Sequence, residues 1–173
     1  MNRTDRAKKV SIARCACGSV EIEATGAPIV TTACHCDDCQ EAARRIEVLP
    51  NAPRVQDRDG GTSFVLFRKD RVTVTKGATL LKAHKLKATS PTNRAVASCC
   101  NCAMVLNFDD SKHWVSMYRA RFDSDMPPLE MRICTKYKPN GATLPNDVPN
   151  YSGYPAKFML KLVAASVAML FRR

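Results

Sequence analysis

Seven cysteines fall in three tight groups: Cys15-x-Cys17, Cys34-x-Cys36-x-x-Cys39 and Cys99-x-x-Cys102. Thiolates bind Zn²⁺ as a tetrahedron at about 2.3 Å, which separates neighbouring sulfurs by about 3.8 Å. Two cysteines one or two residues apart meet that demand within one tight turn, and a second pair from elsewhere in the chain closes the site. Gly18 directly follows Cys17, where such a turn needs a positive φ. Pairing Cys15 and Cys17 with Cys99 and Cys102 gives a closed four-thiolate site. Cys34, Cys36 and Cys39 then form a site of three ligands with an open fourth position, the arrangement of a catalytic zinc. An incoming thiol would be held there as its thiolate. Pairing Cys34 and Cys36 with Cys99 and Cys102 satisfies the same spacing, so spacing leaves the partition open.

The neighbours of these cysteines have their own expected places. His35 stands between two ligands, and adjacent side chains tend to point apart, so it is expected beside the metal site or exposed to solvent rather than on the ion. Asp37 and Asp38 either cap a short helix or hydrogen-bond a bound substrate. Cys100 and Cys134 read as small buried or partly buried thiols. Four thiolates also suit iron, which would colour the protein.

The rest of the composition sets bounds on what surrounds the cysteines. A chain of 173 residues with 45% hydrophobic and 25% charged residues is a globular protein able to bury a core. No apolar segment follows Met1-Asn2-Arg3-Thr4-Asp5-Arg6, so a secretory signal is not expected and the cytoplasm is. Nine cysteines in a reducing compartment read as ligands or catalytic thiols rather than disulfides. The formal charge is +11, and seven thiolates with two Zn²⁺ would leave +8. That balance permits nucleic acid, an anionic membrane or an anionic metabolite as partner, without an aromatic-interleaved basic motif that selects nucleic acid.

Short strands must position the cysteines. Val20 to Ala24 alternates apolar and acidic, and Ile29 to Ala33 is a second strand. A short helix is expected after the Cys34–Cys39 cluster, with acids near its start and Arg44-Arg45 near its end. Residues 51 to 61 form a loop. Phe64 to Phe67 and Val72 to Thr75 suggest a hairpin about Lys69-Asp70. Further strands are expected over Leu80 to Leu86, Arg94 to Ser98, Met104 to Phe108, Trp114 to Arg119 and Glu130 to Cys134. Pro155 suits the first turn of a helix, and Phe158 to Phe171 is apolar apart from Lys161 and Ser166. That stretch is too short to span a bilayer. It reads as a helix packed on the domain or pairing with a second copy in a homodimer. An interfacial anchor aided by Lys157, Lys161, Arg172 and Arg173 is the sharper alternative. The chain therefore divides into a flexible lead over 1–14, a zinc-binding domain over 15–135, and a proline-rich segment with a C-terminal helix over 136–173.

The cysteine pattern resembles the glutathione-dependent formaldehyde-activating enzymes, a family that includes centromere protein V-like proteins. The likeness rests on Cys15-Ala16-Cys17-Gly18-Ser19-Val20, Ala33-Cys34-His35-Cys36-Asp37-Asp38-Cys39-Gln40 and Cys99-Cys100-Asn101-Cys102. It implies a mainly β fold, a β-tent of small antiparallel sheets around zinc. It also implies a partition: a structural zinc on Cys15, Cys17, Cys99 and Cys102, and a catalytic zinc on Cys34, Cys36 and Cys39. The implied activity is that of a carbon–sulfur lyase, which joins formaldehyde and glutathione as S-(hydroxymethyl)glutathione, the glutathione thiolate attacking from the open zinc position. Ala103 stands where many members have glycine, no histidine follows Pro127-Pro128, and the C-terminal helix is untypical. These departures leave the cysteines intact and point to a substrate pair other than formaldehyde and glutathione. The competing expectation is a non-catalytic, zinc-stabilised binding protein with a basic surface.

Overall fold

The computed structural model describes residues 9–109, 112–123 and 126–171. Ten strands and two α-helices build it. The strands are β1 (Val10–Arg14), β2 (Glu21–Thr25), β3 (Val30–Cys34), β4 (Thr62–Arg68), β5 (Val72–Lys76), β6 (Leu81–His84), β7 (Thr92–Ala97), β8 (Cys102–Phe108), β9 (Trp114–Tyr118) and β10 (Met131–Ile133). The helices are α1 (Asp37–Glu47) and α2 (Ala156–Leu170). The protein is mainly β, as expected.

Two sheets form, one of three strands ordered β1-β2-β5 and one of seven ordered β10-β3-β4-β9-β8-β7-β6. All neighbours are antiparallel except β10 beside β3. Alternation along the strands divides the interior into two cores. Val65 and Phe67 of β4 join Val115 and Met117 of β9 against Ala13, Ile22 and Ala24 of the small sheet. Phe64, Leu66 and Tyr118 face the other way, onto Ala43 and Ile46 of α1 and Phe158 and Leu162 of α2.

Two sequence expectations change. The hairpin expected between β4 and β5 does not form, because a short 3₁₀ turn at Lys69–Arg71 carries β5 over to β2 in the other sheet. The lead over 1–14 is not loose throughout: Val10–Arg14 is a strand with Ser11 and Ala13 buried, paired along its length with β2. Residues 1–8 lie outside the described residues, as do Arg172 and Arg173 of the expected anchor.

Helix α1 buries Cys39, Ala42, Ala43 and Ile46, a stripe at helical spacing. Asp37 and Asp38 occupy its first turn, while Cys36 holds the N-cap position without a side-chain cap bond. Helix α2 begins after Pro155 and buries only Phe158 and Leu162. The carbonyl of Leu162 hydrogen-bonds the His113 ring at 2.7 Å, and Lys161 pairs with Glu130. Leu160, Val163, Val167 and Leu170 face outwards. Among the described residues no helix is long and apolar enough to cross a membrane.

Candidate metal centres

The first cluster sits where the two sheets meet. Cys15 and Cys17 leave β1 in a tight turn in which the Gly18 amide donates to the Cys15 carbonyl at 2.9 Å. Gly18 has a φ of 73°, the conformation its position after Cys17 predicted. The Val20 amide donates to the Cys15 sulfur at 3.2 Å. Cys99 and Cys100 come from the turn between β7 and β8. Cys15 Sγ lies 3.6 Å from Cys17 Sγ and 3.8 Å from Cys99 Sγ. Those are the edge lengths of a zinc–thiolate tetrahedron.

The fourth sulfur within reach is that of Cys100, 3.9 Å from Cys99. Cys102, expected as the fourth ligand, is not brought into this group. It begins β8 fully buried, with its sulfur towards the Ala103 carbonyl, and burial pushes its thiol up to about 11. It still lies close enough to Cys15 and Cys100 to feel their charges. The hydrogen bond with Ser19 pulls the exposed Cys17 thiol down to about 6. Desolvation raises Cys99 to about 12, so the group as it stands shares its protons unequally.

The second cluster is built by one short stretch. Cys34 ends β3, Cys36 caps α1 and Cys39 lies in its first turn, and the three sulfurs lie within 4.8 Å of one another. The chain is held on both sides. The His35 amide donates to the Ile133 carbonyl of β10 at 3.0 Å, and the Gln40 side chain donates to the His35 carbonyl at 2.7 Å. Interaction with the Cys34 and Cys39 thiols lowers Cys36 to about 3, assisted by the Cys39 backbone and the Arg94 charge. Cys34 is raised by Cys134, Cys36 and Cys39. Cys39 is pulled down by Cys34 yet raised on balance by Cys36 and by burial. One thiolate therefore sits between two thiols, as expected of three sulfurs crowded at the start of a helix.

The donor set fits a metal in both places. All the converging groups are sulfurs, their spacing suits a tetrahedral soft ion, and all nine cysteines are free thiols. His35 is fully buried behind the second cluster, with Asp59 at 3.6 Å, too long for a hydrogen bond. Burial lowers its pKa against the pull of Asp59. Asp59 is held in turn by Arg132 at 2.8 Å and by the Gly61 amide at 3.1 Å. Asp37 and Asp38 are exposed.

The second cluster opens into a cavity of about 350 Å³ between the seven-stranded sheet and α2. Phe64, Leu66 and Leu106 contribute from the strands and Phe158 and Leu162 from the helix. Sequence reasoning missed three residues here. Arg94 is buried in β7, and its alternation with Val96 was the available signal. Cys134, read as a lone thiol, lies beside Cys34, which does most to lower it to about 7. Tyr154 stands next to Cys134 and also lines the cavity.

No curated protein matches the chain. A crystal structure of a Rhodobacter sphaeroides protein superimposes with a TM-score of 0.49 at 16% identity, covering 80% of this chain and 98% of that one. The family that the cysteine pattern resembles is also the one whose model the chain matches: the glutathione-dependent formaldehyde-activating enzyme model covers residues 10–49, the stretch that carries Cys15, Cys17, Cys34, Cys36 and Cys39.

Proposed function

We propose that this protein binds two zinc ions and forms or breaks a carbon–sulfur bond between a small thiol and an aldehyde. The observation that carries this reading is the group Cys34, Cys36 and Cys39, three converging sulfurs on the wall of a cavity large enough for a small molecule. Three protein ligands leave one position of a tetrahedron to a substrate atom. Zinc held there supplies Lewis acidity that keeps a thiol deprotonated at neutral pH.

The chain's own residues do the rest. Cys34, Cys36 and Cys39 hold the ion from one rigid strand–helix junction. The buried Arg94 puts a fixed positive charge beside them, which favours a second anionic sulfur. The mostly apolar walls hold the carbon parts of the reactants beside the three sulfurs. In the forward direction the sulfur–carbon bond forms, the carbonyl π pair moves to oxygen, and the proton lost from the thiol ends on that oxygen. The reverse direction releases thiol and aldehyde.

The first cluster is assigned to a structural zinc on Cys15, Cys17, Cys99 and Cys102, in keeping with the resemblance and with the way a Cys-x-x-Cys turn aims two sulfurs at one point. The sulfur positions favour a second reading, in which Cys100 is the fourth ligand. Zinc counts on Cys100→Ser and Cys102→Ser decide between them, because the variant that drops from two ions to one has lost the ligand. The activity is tested by NMR detection of the thiol–aldehyde adduct with the zinc-loaded protein and with Cys36→Ser. Adduct formation at the uncatalysed rate with several thiols and aldehydes would sink the enzymatic reading and leave a zinc-stabilised binding protein.

A further inference from the structure

The cavity beside Cys34, Cys36 and Cys39 is walled mostly by apolar side chains, with Asp38, Arg94 and Lys112 as its charged lining. Phe64, Leu106 and Trp114 from the sheet face Phe158 and Leu162 from α2 across it. Its volume, about 350 Å³, is near the lower end of the range for small-molecule sites, roughly 300–1,000 Å³. Glutathione would bring two carboxylates and an ammonium into that space, each needing a partner once out of water.

One buried polar group on this wall is unsatisfied. Arg94 is 2% exposed and lines the cavity. Its Nη2 donates to the Asp38 carbonyl at 3.1 Å, while its Nη1 has no hydrogen-bond partner among the described residues. A guanidinium is always charged and only donates, and a buried N–H group is nearly always paired in a working protein. The acceptor is therefore expected from the ligand. Arg94 lines the cavity together with Cys36 and Cys39, and its bond to Asp38 holds it at the residue before Cys39. The acceptor oxygen thus belongs near the ligand's sulfur.

We infer that the ligand is the aldehyde adduct of an apolar thiol, with its sulfur at the three-cysteine site, its hydroxyl oxygen accepting from Arg94 Nη1, and its carbon body between the sheet and α2. This names the substrate class for the function proposed above and rests on that reading. The adduct carries its oxygen on the carbon bonded to sulfur, where Arg94 can meet it, and its body needs no further polar partner.

Trp114 is the only tryptophan of the chain and lines the cavity, so its fluorescence reports occupancy. Zinc-loaded protein is titrated with phenylmethanethiol, glutathione and toluene, each with and without formaldehyde. Phenylmethanethiol is expected to half-saturate at a concentration at least about tenfold below glutathione, and formaldehyde to tighten it several-fold further. Arg94→Met should keep thiol binding and lose the tightening by formaldehyde. Met159→Glu, at an exposed position on the cavity's α2 side, should weaken phenylmethanethiol about tenfold with zinc content unchanged. This second variant keeps the test alive if Arg94→Met fails to fold. Glutathione binding as tightly as phenylmethanethiol overturns the apolar substrate class and leaves the zinc–thiol function standing. Toluene binding as tightly overturns the sulfur anchor. Full tightening by formaldehyde in Arg94→Met overturns the role of Arg94. Protein that holds two zinc ions and responds to no thiol overturns the proposed function itself.

Discussion

Cys36 is ionised and Cys34 and Cys39 are not, so the second cluster meets a metal with two protons to release. The sign follows from the shifts: Cys36 is lowered to about 3, well below neutrality, while Cys34 and Cys39 are raised. Between pH 6 and 8 a bound Zn²⁺ must displace protons from the raised pair, and raising the pH removes that competition. Affinity for zinc should rise about 100-fold per pH unit. Titration calorimetry of Cys17→Ser, which leaves the second cluster to bind, counts the protons in two buffers of different ionisation heat, and a count of three or of none contradicts the single-thiolate arrangement. A second residue-scale prediction concerns Gly61. A Cβ there would stand 2.7 Å from Cε1 of the fully buried His35 ring. His35 separates two ligands and its backbone is pinned to β10 and Gln40, so the ring cannot retreat without moving Cys34 and Cys36. Gly61→Ala should destabilise the protein by about 1–3 kcal/mol in a denaturant melt. It should also lower the zinc content of the second cluster, whereas Gly153→Ala, with open space around it, should do neither.

At the scale of elements, much was legible because alternation and cysteine spacing are local signals. The strands near Val20, Phe64, Met104 and Trp114 all appear within a few residues of their expected places. The helix expected after the cysteine cluster appears too, but it starts inside the cluster at Asp37, and its stripe of Cys39, Ala42, Ala43 and Ile46 explains why. Pairing was not local and was misjudged where a three-residue 3₁₀ turn redirects β5 to another sheet. The strand at Val10–Arg14 was hidden because Arg14 and the basic residues before it resemble a solvated tail, although Ser11 and Ala13 alternate inwards. Helix α2 was legible as a helix, but not in how little of it is buried. Its apolar composition suggested a helix packed on the domain or against a second copy, and only Phe158 and Leu162 are buried. Leu162→Ala should therefore cost about 2–4 kcal/mol and Leu160→Ala, at an exposed position, less than about 0.5 kcal/mol. Paired denaturant melts read the difference. Equal effects would mean that the outward face of α2 is covered in solution.

The whole molecule shows why the two clusters should differ in what they contribute to stability. Cys15 and Cys99 are 84 residues apart in sequence and 3.8 Å apart in space. The first cluster therefore joins the end of β1 in the small sheet to the turn between β7 and β8 in the large one, and an ion there closes a long loop. The second cluster draws all its ligands from residues 34 to 39, so an ion there closes almost nothing. The buried Arg94 was the part of this site hardest to find in sequence, since an arginine in a strand ordinarily marks its wet face. Its inward placement makes sense only once the sulfurs of Cys36 and Cys39 at the start of α1 are seen opposite β7, across a contact that spans 56 residues of sequence. If the first ion is held about a hundredfold above its Kd, it contributes about 2.7 kcal/mol to the folded state. In a chain of this size that corresponds to a Tm higher by about 5–11 °C. Cys17→Ser should lose that increment and become insensitive to chelator at the first site. Cys36→Ser should lose one zinc and keep most of the Tm, because the strand–helix junction it leaves is already fixed by the Ile133 and Gln40 hydrogen bonds. Differential scanning calorimetry of the two variants, with zinc counted in each, separates a clamp from a working site. A larger loss of Tm in Cys36→Ser than in Cys17→Ser would exchange the two roles.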